Sequence, residues 1–430
     1  MSRIPQLKKD LDLIIRAGVD AVSARRVIDR VLRLPIADVF STRPVHVIAV
    51  GKAAAAMASA FLAVRHLQVQ QALAIGTHTH PDLPTSIEWI ESSHPFPDLR
   101  SQAAGERALA LAESVHSGDA LVILLSGGAS ALMAAPIDGI SLADKIETTK
   151  LMMASGADIH ALNTVRRHLS KVKGGRLAAA CVGTTVTLAI SDVVGDDLNA
   201  IGSGPGVPDA TTWADAAAAL ERFGGDAHLS EVRHVIARGA AGALADTPKP
   251  GDGLLKRSQA LVIGSRIDAM EGARQAALAR GYHATVIAEP VTGEAREMAP
   301  RWLARVQDLT RGTPRPACVI SSGETTVRVT GQGRGGRNLE FALALAGSIA
   351  LPTAIAMASV GTDGIDGTSG VAGGIVDSTT LARASRLNLD APGKYLAAND
   401  SLSFFAPLDD VVRLGRTDTN VGDLQVILID

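Results

Sequence analysis

The sequence predicts an α/β protein of two domains, and three observations lead to that fold class. The chain has 430 residues, more than one hydrophobic core usually supports. Three largely apolar runs, at 46–50, 120–125 and 184–190, lack the polar alternation of a half-exposed strand. Strands of this kind lie in parallel sheets that helices cover on both faces. The first two runs lead into a turn of small residues and then a helical pattern, as in a βα unit.

The predicted elements follow one another in two series. Apolar spacing predicts helices over 6–33, then the three strands, with a helix over 53–64 after the first strand. Glycine, alanine and proline cluster at 239–253, which we interpret as a linker, with an internal loop as the alternative. The predicted domains are therefore residues 1–240 and 254–430. The second series consists of strands at 260–263, 283–288, 318–321, 325–330, 354–360 and 424–429 and helices at 266–280, 293–310 and 338–349, with a tight turn between the strands at 318–321 and 325–330.

Composition and charge argue against several classes of function. Hydrophobic residues make up 47% and charged residues 20% of the chain, which is typical of a globular protein rather than a disordered one. Aromatic residues are only 3% and the net charge is -2, so no nucleic-acid surface is predicted. No run approaches the roughly 18 apolar residues of a membrane helix. We expect a cytoplasmic enzyme without a membrane partner, in which Cys181 and Cys318 are reduced core residues.

Two loops with phosphate-binding chemistry follow predicted strands, at the position where parallel α/β sheets bind ligands. Lys52 stands at the start of a helix, where its charge opposes the helix dipole and suits an anionic phosphate. The second strand is followed by small residues that can cradle an anion or simply cap the next helix. This loop is not a Walker A motif, because the sequence pattern Gly-x-x-x-x-Gly-Lys-Ser/Thr does not occur in the chain. Its candidate phosphate-binding residues are Ser126, Gly127, Gly128 and Ser130.

Polar side chains in other loops are candidates for proton transfer or magnesium binding. Asp192 ends the third strand, where a carboxylate can hold magnesium or accept a proton. Glu324 and Asp363 are rivals for these roles, and Asp363 lies in a glycine-rich loop where it is equally consistent with a simple turn. His94 is interpreted as a structural residue or one at the edge of the substrate. Arg166 lies in a basic helical stretch that can supply positive potential for a phosphorylated ligand.

A later glycine-rich loop has two interpretations. Gly331, Gly333 and Gly336 match the Gly-x-Gly-x-x-Gly dinucleotide fingerprint. The segment before them alternates between polar and apolar residues, unlike the buried strand that precedes such a fingerprint. Arg334 and Arg337 add two guanidinium groups, which suit phosphate oxygens or a substrate carboxylate. We therefore favour an anion clamp over a dinucleotide loop.

Taken in order, these segments resemble the class II glycerate 2-kinase family, whose C-terminal part is called the MOFRL domain. Each segment is short, but the ordered set runs over nearly the whole chain and is specific as a set. The similar segments are Val50–Ala53, Ser92–Pro95, Leu125–Ser130, Leu162–Ser170, Lys173–Gly175, Ile190–Asp192, Gly202–Pro205, Ser322–Thr326, Gly335–Asn338 and Gly361–Gly367.

The resemblance implies a larger Rossmann-like domain, a smaller α/β MOFRL domain and an active site in the cleft between them. It implies that, with ATP and Mg²⁺ as cofactors, the γ-phosphoryl group is transferred to the 2-hydroxyl of D-glycerate, giving 2-phosphoglycerate and ADP. The family's active-site lysine and arginine correspond to Lys52 and Arg337, with Arg334 as the alternative arginine. Asp192 is the expected catalytic carboxylate and, with Asp363, the expected magnesium ligand. Arg166, Glu324 and Arg334 are expected to bind the substrate. Of these, Arg166 or Arg334 is the expected cation for the glycerate carboxylate.

Two other functions remain open. A hydroxypyruvate reductase that uses NADH or NADPH is favoured only by the glycine spacing of 331–336, and no convincing acidic residue ends the following strand. A non-catalytic regulator that binds a sugar acid or a nucleotide would show binding without turnover. The sequence does not decide the oligomeric state and leaves a homodimer open.

Overall fold

The computed structural model describes residues 3–78, 83–349 and 354–430 and divides the chain into two compact units. One unit comprises Val27–Ile263, and we call it the parallel-sheet unit. The other combines Gly264–Asp430 with the N-terminal segment that ends at Arg26, and we call it the mixed-sheet unit.

The helices and strands are numbered in chain order. The helices are α1 (Ile4–Ala21), α2 (Ala24–Val31), α3 (Asp38–Ser41), α4 (Ala54–Leu62), α5 (Leu99–Ser114), α6 (Ala129–Leu132), α7 (Leu142–Ala154), α8 (Ile159–His168), α9 (Arg176–Ala179), α10 (Trp213–Arg222), α11 (Ser230–Ala240), α12 (Arg266–Leu278), α13 (Ala295–Leu309), α14 (Arg337–Leu345), α15 (Thr380–Arg386), α16 (Pro392–Ala397) and α17 (Ser401–Phe405). The strands are β1 (Pro44–Val50), β2 (Gln68–Gly76), β3 (Ile87–Glu91), β4 (Ala120–Leu125), β5 (Thr184–Ile190), β6 (Ser258–Gly264), β7 (His283–Val286), β8 (Val291–Glu294), β9 (Ala317–Thr326), β10 (Ile355–Gly361), β11 (Gly373–Asp377), β12 (Val411–Val412) and β13 (Asp423–Ile429).

The parallel-sheet unit is built on a six-stranded sheet in the order β3-β2-β1-β4-β5-β6. All neighbours from β3 to β5 run parallel, and β1, β4 and β5 are almost entirely buried, which confirms the predicted α/β class. Val50 at the end of β1 lies beside Ile75 of β2 and Leu125 of β4. The residues that follow β1 and β4 therefore emerge side by side at one edge of the sheet.

The mixed-sheet unit contains a second sheet in the order β12-β11-β10-β13-β9-β7, with β8 also pairing with β9. The last strand of the chain, β13, is antiparallel to both β9 and β10, whereas β7 and β8 run parallel to β9. Because β13 lies at the centre of this sheet, its first residue, Asp423, is placed among the side chains of neighbouring strands and is buried.

The predicted turn between 321 and 325 is wrong. β9 runs unbroken from Ala317 to Thr326, because Gly323 pairs with Asp423 of β13 on one side and with Val291 of β8 on the other. A Cβ atom at Gly323 would lie 2.0 Å from the carbonyl oxygen of Val291. Glycine is required here by the close approach of β8 and not by a change of chain direction.

The two units differ from the predicted domains of residues 1–240 and 254–430. Helix α1 was expected in the first domain, but its apolar face packs in the mixed-sheet unit, against α12, β10 and β13. Strand β6 was expected in the second domain, but it forms the edge of the six-stranded sheet. Residues 239–253 thus lie within the parallel-sheet unit.

Two expectations from composition can be compared with the described residues. Cys181 and Cys318 are free and buried, as predicted for core residues. Among the described helices, none combines the length and the apolarity needed to cross a lipid bilayer.

Candidate active site

The turn after β1 and the loop after β4 are joined by backbone and side-chain hydrogen bonds. The N–H of Lys52 donates to the carbonyl of Gly127 at 2.9 Å, and the N–H of Ala53 donates to Ser126 Oγ at 3.1 Å. Gly51 has a φ of +129°, and a Cβ atom there would lie 2.1 Å from Ser126 Oγ. Only glycine allows the two loops to approach so closely. The buried Ser126 hydroxyl accordingly stabilises the start of α4, whereas α6, the helix that follows the loop, has no side-chain cap.

His94 lies beside the same two loops. From the sequence it was interpreted as a structural residue or one at the edge of the substrate. A Cβ atom at Gly128 would stand 3.0 Å from His94 Cδ2, so the imidazole lies against the 126–130 loop. The pKa of His94 is lowered, first by desolvation and then by the positive charge of Lys52. Lys52 itself is exposed. A neutral imidazole therefore lies near the Lys52 ammonium at the carboxyl edge of the parallel sheet, where it can accept or donate a hydrogen bond.

A chain of buried polar contacts extends from Ser130. Lys173 Nζ donates to the carbonyl oxygen and to Oγ of Ser130, both at 2.8 Å. Ser130 Oγ is 3.1 Å from Ser203 Oγ, which in turn donates to Oδ1 of Asn163 at 3.1 Å. Lys173 has only 1% of its surface exposed. The Gly202–Ser203 turn, which the sequence noted without assigning chemistry, is thereby joined to the predicted phosphate loop.

Arg166 belongs to a group of basic side chains around this polar chain. It lies on α8, and its charge acts on both Lys145 of α7 and Lys173. Burial lowers the pKa of Lys145 to about 7, and the charge of Arg166 contributes to this shift. The sequence singled out Arg166 but gave no role to Lys145, because an isolated lysine in a polar helix resembles a solvated surface residue.

Arg337, the predicted catalytic arginine, stands at the first position of α14 and is held by two carboxylates. Its Nε lies 2.9 Å from each carboxylate oxygen of Asp423, and its Nη1 donates to Glu324 at 3.0 Å. Burial opposes the charge on Arg337, but Asp423 and Glu324 raise the pKa of the guanidinium overall. Glu324 therefore orients Arg337. Asp423 was missed by the sequence, although an acidic residue at the head of an apolar strand was a usable signal.

The fingerprint glycines of the later loop approach other segments of the protein, and Arg334 lies exposed among them. A Cβ atom at Gly331 would lie 2.1 Å from the carbonyl oxygen of Ala398, and one at Gly333 would lie 2.3 Å from the Cβ of Asp400. Strand β9 ends at Thr326, several residues before Gly331. A dinucleotide fingerprint starts directly after a strand and keeps its glycines for the pyrophosphate, so these contacts favour the anion-clamp interpretation.

The remaining predicted carboxylates lie in different units. Asp192 lies two residues after the end of β5 in the parallel-sheet unit and is half-buried. Asp363 lies after β10 in the mixed-sheet unit, where Oδ1 accepts from the N–H of Ile365 at 3.2 Å. Its neighbour Asp366 is buried and accepts the N–H groups of Asn338 and Leu339 at the start of α14. Burial raises the pKa of Asp366 to about 7. Of these two loop carboxylates, Asp366 caps a helix and Asp363 makes a turn.

Comparison with known proteins identifies the family to which the chain belongs. Residues 10–237 match a family described as a domain of unknown function, DUF4147, and residues 317–423 match the MOFRL family. A D-glycerate 2-kinase from Thermotoga maritima is 35% identical over 429 residues, which cover 98% of both chains. The chain belongs to the class II glycerate 2-kinase family. The resemblance seen in the sequence is thereby confirmed.

Members of the class II glycerate 2-kinase family differ in the names they carry. A relative from Agrobacterium vitis, provisionally named a hydroxypyruvate reductase, is 38% identical over 427 residues, or 95% of each chain. The crystal structure of a glycerate kinase from Thermotoga maritima matches with a TM-score of 0.89 and 35% identity, and the match covers 99% of this chain and 100% of the other. The fold described above is therefore the fold of the family.

Proposed function

We propose that the chain is an ATP-dependent D-glycerate 2-kinase, which transfers the γ-phosphoryl group of ATP to the 2-hydroxyl of D-glycerate and releases 2-phosphoglycerate and ADP. The observation that carries the proposal is the exposed Lys52 at the start of α4, whose backbone is hydrogen-bonded to the 126–130 loop. Similarity over the full length to a protein named D-glycerate 2-kinase supports it.

The residues of the two loops fit the needs of phosphoryl transfer, which depends mainly on positioning and on neutralising charge. Lys52 would place its ammonium on the transferred phosphoryl group, as a point charge on a flexible stem can follow that group. Gly127, Gly128 and Ser130 would line the phosphates. His94, whose pKa is lowered, would hydrogen-bond at this edge without adding a permanent charge.

Arg337 would supply the second positive charge. Its guanidinium is fixed by Asp423 and Glu324 through Nε and Nη1, and Nη2 donates no hydrogen bond within the described ranges 3–78, 83–349 and 354–430. A pre-oriented arginine with one nitrogen available can contact a phosphoryl oxygen at little cost in side-chain entropy. Arg334, exposed in the preceding loop, remains the alternative. Lys52 and Arg337 belong to different units.

Asp192 and Asp363 are the carboxylates that would bind the Mg²⁺ needed for phosphoryl transfer from ATP. Mg²⁺ is usually bound by one or two carboxylates together with phosphate oxygens and water. The described residues contain no group of three metal-binding side chains, and such a group is not needed for this mode. Asp192 would hold the ion or accept the proton of the 2-hydroxyl, with Asp363 as a further ligand. When bound, the ion would neutralise charge on the phosphates.

The test is to incubate the purified full-length protein with ATP, Mg²⁺ and D-glycerate and to follow the product by phosphorus NMR. We expect ADP and 2-phosphoglycerate, which is distinguishable from the 3-phosphate by its coupling to a single neighbouring proton. ADP release without phosphoglycerate, or exclusive formation of the 3-phosphate, would refute the proposal. Binding of glycerate and ATP without turnover would favour the regulator alternative.

The reductase alternative is tested in parallel by adding hydroxypyruvate with NADH or NADPH and recording absorbance at 340 nm. We expect no enzyme-dependent loss, because the fingerprint glycines are occupied by contacts with Ala398 and Asp400. Rapid loss of absorbance in a preparation that does not phosphorylate glycerate would instead identify a reductase.

A further inference from the structure

Three basic side chains are gathered in the interior of the parallel-sheet unit, and we call them the cationic cluster: Lys145, Arg166 and Lys173. Lys145 comes from α7, Arg166 from α8, and Lys173 from the turn between α8 and α9. Lys145 has 6% and Lys173 1% of its surface exposed. Burial lowers the pKa of both lysines; the charge of Arg166 lowers that of Lys145 further, and the charges of Lys145 and Arg166 lower that of Lys173 further.

No acidic residue within the described part of the chain forms an ion pair with the cationic cluster. Lys173 Nζ is hydrogen-bonded to neutral acceptors only, namely the carbonyl and hydroxyl of Ser130 and, at 3.5 Å, the carbonyl of Gly202. Lys145 Nζ is buried and has no hydrogen-bond partner at all among the described residues. The cluster thus carries positive charge that the described protein atoms leave uncompensated.

Such an arrangement is unfavourable for folding unless an anion completes it. An ammonium removed from water without a counter-charge is costly, and proteins seldom retain one without a role. A neighbouring buried cation shows the usual solution: Arg167, one residue after Arg166, donates to the buried Asp209 at 2.8 Å. The contrast between these neighbouring arginines indicates that the cluster is arranged for a ligand and not for the stability of the fold.

We infer that Lys145, Arg166 and Lys173 form a subsite for the carboxylate of the 2-hydroxy acid acceptor. The inference rests on the proposed kinase function and names the part of the substrate that this region recognises. The 126–130 loop contacts Lys52 through Gly127 and Lys173 through Ser130, so one loop joins the cluster to the proposed phosphoryl-transfer residues.

Burial favours a carboxylate over the phosphates of the nucleotide. A site whose ammonium groups are almost fully enclosed admits a group of few atoms, whereas a triphosphate with its metal ion needs an open groove. Ser203 and Asn163 adjoin Lys173 through Ser130 and offer polar atoms that can position a small hydroxy acid. Arg334, the other arginine considered for this carboxylate, is exposed and lies in the mixed-sheet unit.

The decisive experiment compares Lys145→Met with Lys150→Met, a matched control at an exposed position of the same helix. In Lys145→Met the KM for D-glycerate should rise about 10- to 100-fold, as expected for the loss of one charge-assisted contact, while the KM for ATP stays within about twofold. The control should leave both constants unchanged. A rise in the KM for ATP alone would overturn the inference and point to a nucleotide phosphate, and so would an unchanged KM for glycerate.

Thermal melting of the ligand-free variants provides a second, independent readout. Methionine replaces an unpaired buried ammonium by an apolar group of similar length, so Lys145→Met should melt at a higher temperature than the wild type. If Lys145 only stabilised the fold, Lys145→Met would melt at a lower temperature than the wild type. A lower melting temperature with unchanged glycerate affinity would therefore overturn the inference.

Arg166→Gln keeps the inference testable if Lys145→Met does not fold, because Arg166 is only half-buried. It too should raise the KM for D-glycerate about 10-fold or more and spare the KM for ATP; equal constants in Arg166→Gln and the wild type would overturn the subsite. Calorimetric titration of D-glycerate separates the two proposals. If the wild type binds glycerate without phosphorylating it and Arg166→Gln does not bind, the kinase function fails and the subsite stands. If the wild type phosphorylates glycerate and both cluster variants bind it normally, the subsite fails and the kinase function stands.

Discussion

Asp423→Asn tests whether Arg337 is held by a buried ion pair. Asp423 accepts from Arg337 Nε, from Asn338 Nδ2 at 2.8 Å and from the N–H of Thr325 at 3.3 Å. Burial raises the pKa of the Asp423 carboxyl and these donors lower it. All of these partners donate hydrogen bonds to Asp423, so the contacts stabilise its ionised carboxylate. Asparagine would turn one acceptor into a donor that faces other donors.

The expected loss of stability follows from burial. Removing one partner of a buried ion pair costs about 3–5 kcal/mol. We take about 3 kcal/mol, because the Arg337 side chain is 31% exposed and keeps its contact with Glu324. For a unit of this size that loss corresponds to roughly 6–12 °C in melting temperature. The kcat should fall as well, since the guanidinium loses the carboxylate that orients it.

The assay is thermal melting at pH 7 of the wild type, Asp423→Asn and the control Asp409→Asn. Asp409 lies in the same unit, its side chain is 94% exposed, and its φ of 53° is one that asparagine adopts readily. The control Asp409→Asn should have the same melting temperature as the wild type. Asp423→Asn melting within about 2 °C of the wild type, with kcat unchanged, would refute the ion pair as the element that positions Arg337.

Three further predictions concern the parallel-sheet unit. Lys52→Ala should lower kcat/KM for D-glycerate by roughly a thousandfold while the melting temperature stays within about 2 °C; near-normal turnover would remove Lys52 from catalysis. Gly51→Ala should cost about 2–5 kcal/mol, because its φ of +129° is strained for alanine and its Cβ would meet Ser126; an unchanged urea midpoint would contradict the close packing of the two loops. The last concerns pH: the pKa of Lys145 is about 7 in the folded protein, below the ordinary value of 10.5 for lysine, so the free-energy cost of burying its ammonium falls as the pH rises between these two values. The melting advantage of Lys145→Met over the wild type should therefore be largest near pH 7 and shrink toward pH 10, and a gap that is constant or widens would be evidence against a buried, shifted ammonium.

The parallel-sheet unit was largely predictable because its signals are local. Continuous apolar runs identified β1, β4 and β5, and strand order places the loops after β1 and β4 side by side once the sheet is parallel. Lys52 and Ser126 could therefore be named from the sequence. The contact between their two loops could not be predicted from the sequence. It depends on the close approach of Gly51 to the Ser126 hydroxyl, and these residues are 75 positions apart in the chain.

The site in the mixed-sheet unit depends on contacts that local patterns do not encode. Arg334 and Arg337 look alike in sequence, and the difference between them is Asp423, which lies 86 residues after Arg337 and meets it only because β13 enters the middle of the sheet. The fingerprint glycines are explained by Ala398 and Asp400, again distant in sequence. Lys145 escaped notice for the same reason: its burial is a property of the packing of α7 and not of its neighbours in the chain.

Helix α1 has a consequence for the order in which the protein can fold as it is synthesised. Its apolar face packs against α12, β10 and β13, but about 240 residues of the parallel-sheet unit are made between α1 and the start of α12. At about 5–20 residues per second the ribosome needs roughly 12–50 s to reach α12. Throughout that time Leu7, Leu11, Ile14 and Ile15 have none of their final neighbours from α12, β10 or β13. The nascent chain is therefore exposed to chaperone capture at its first helix until the ribosome has completed an entire separate unit.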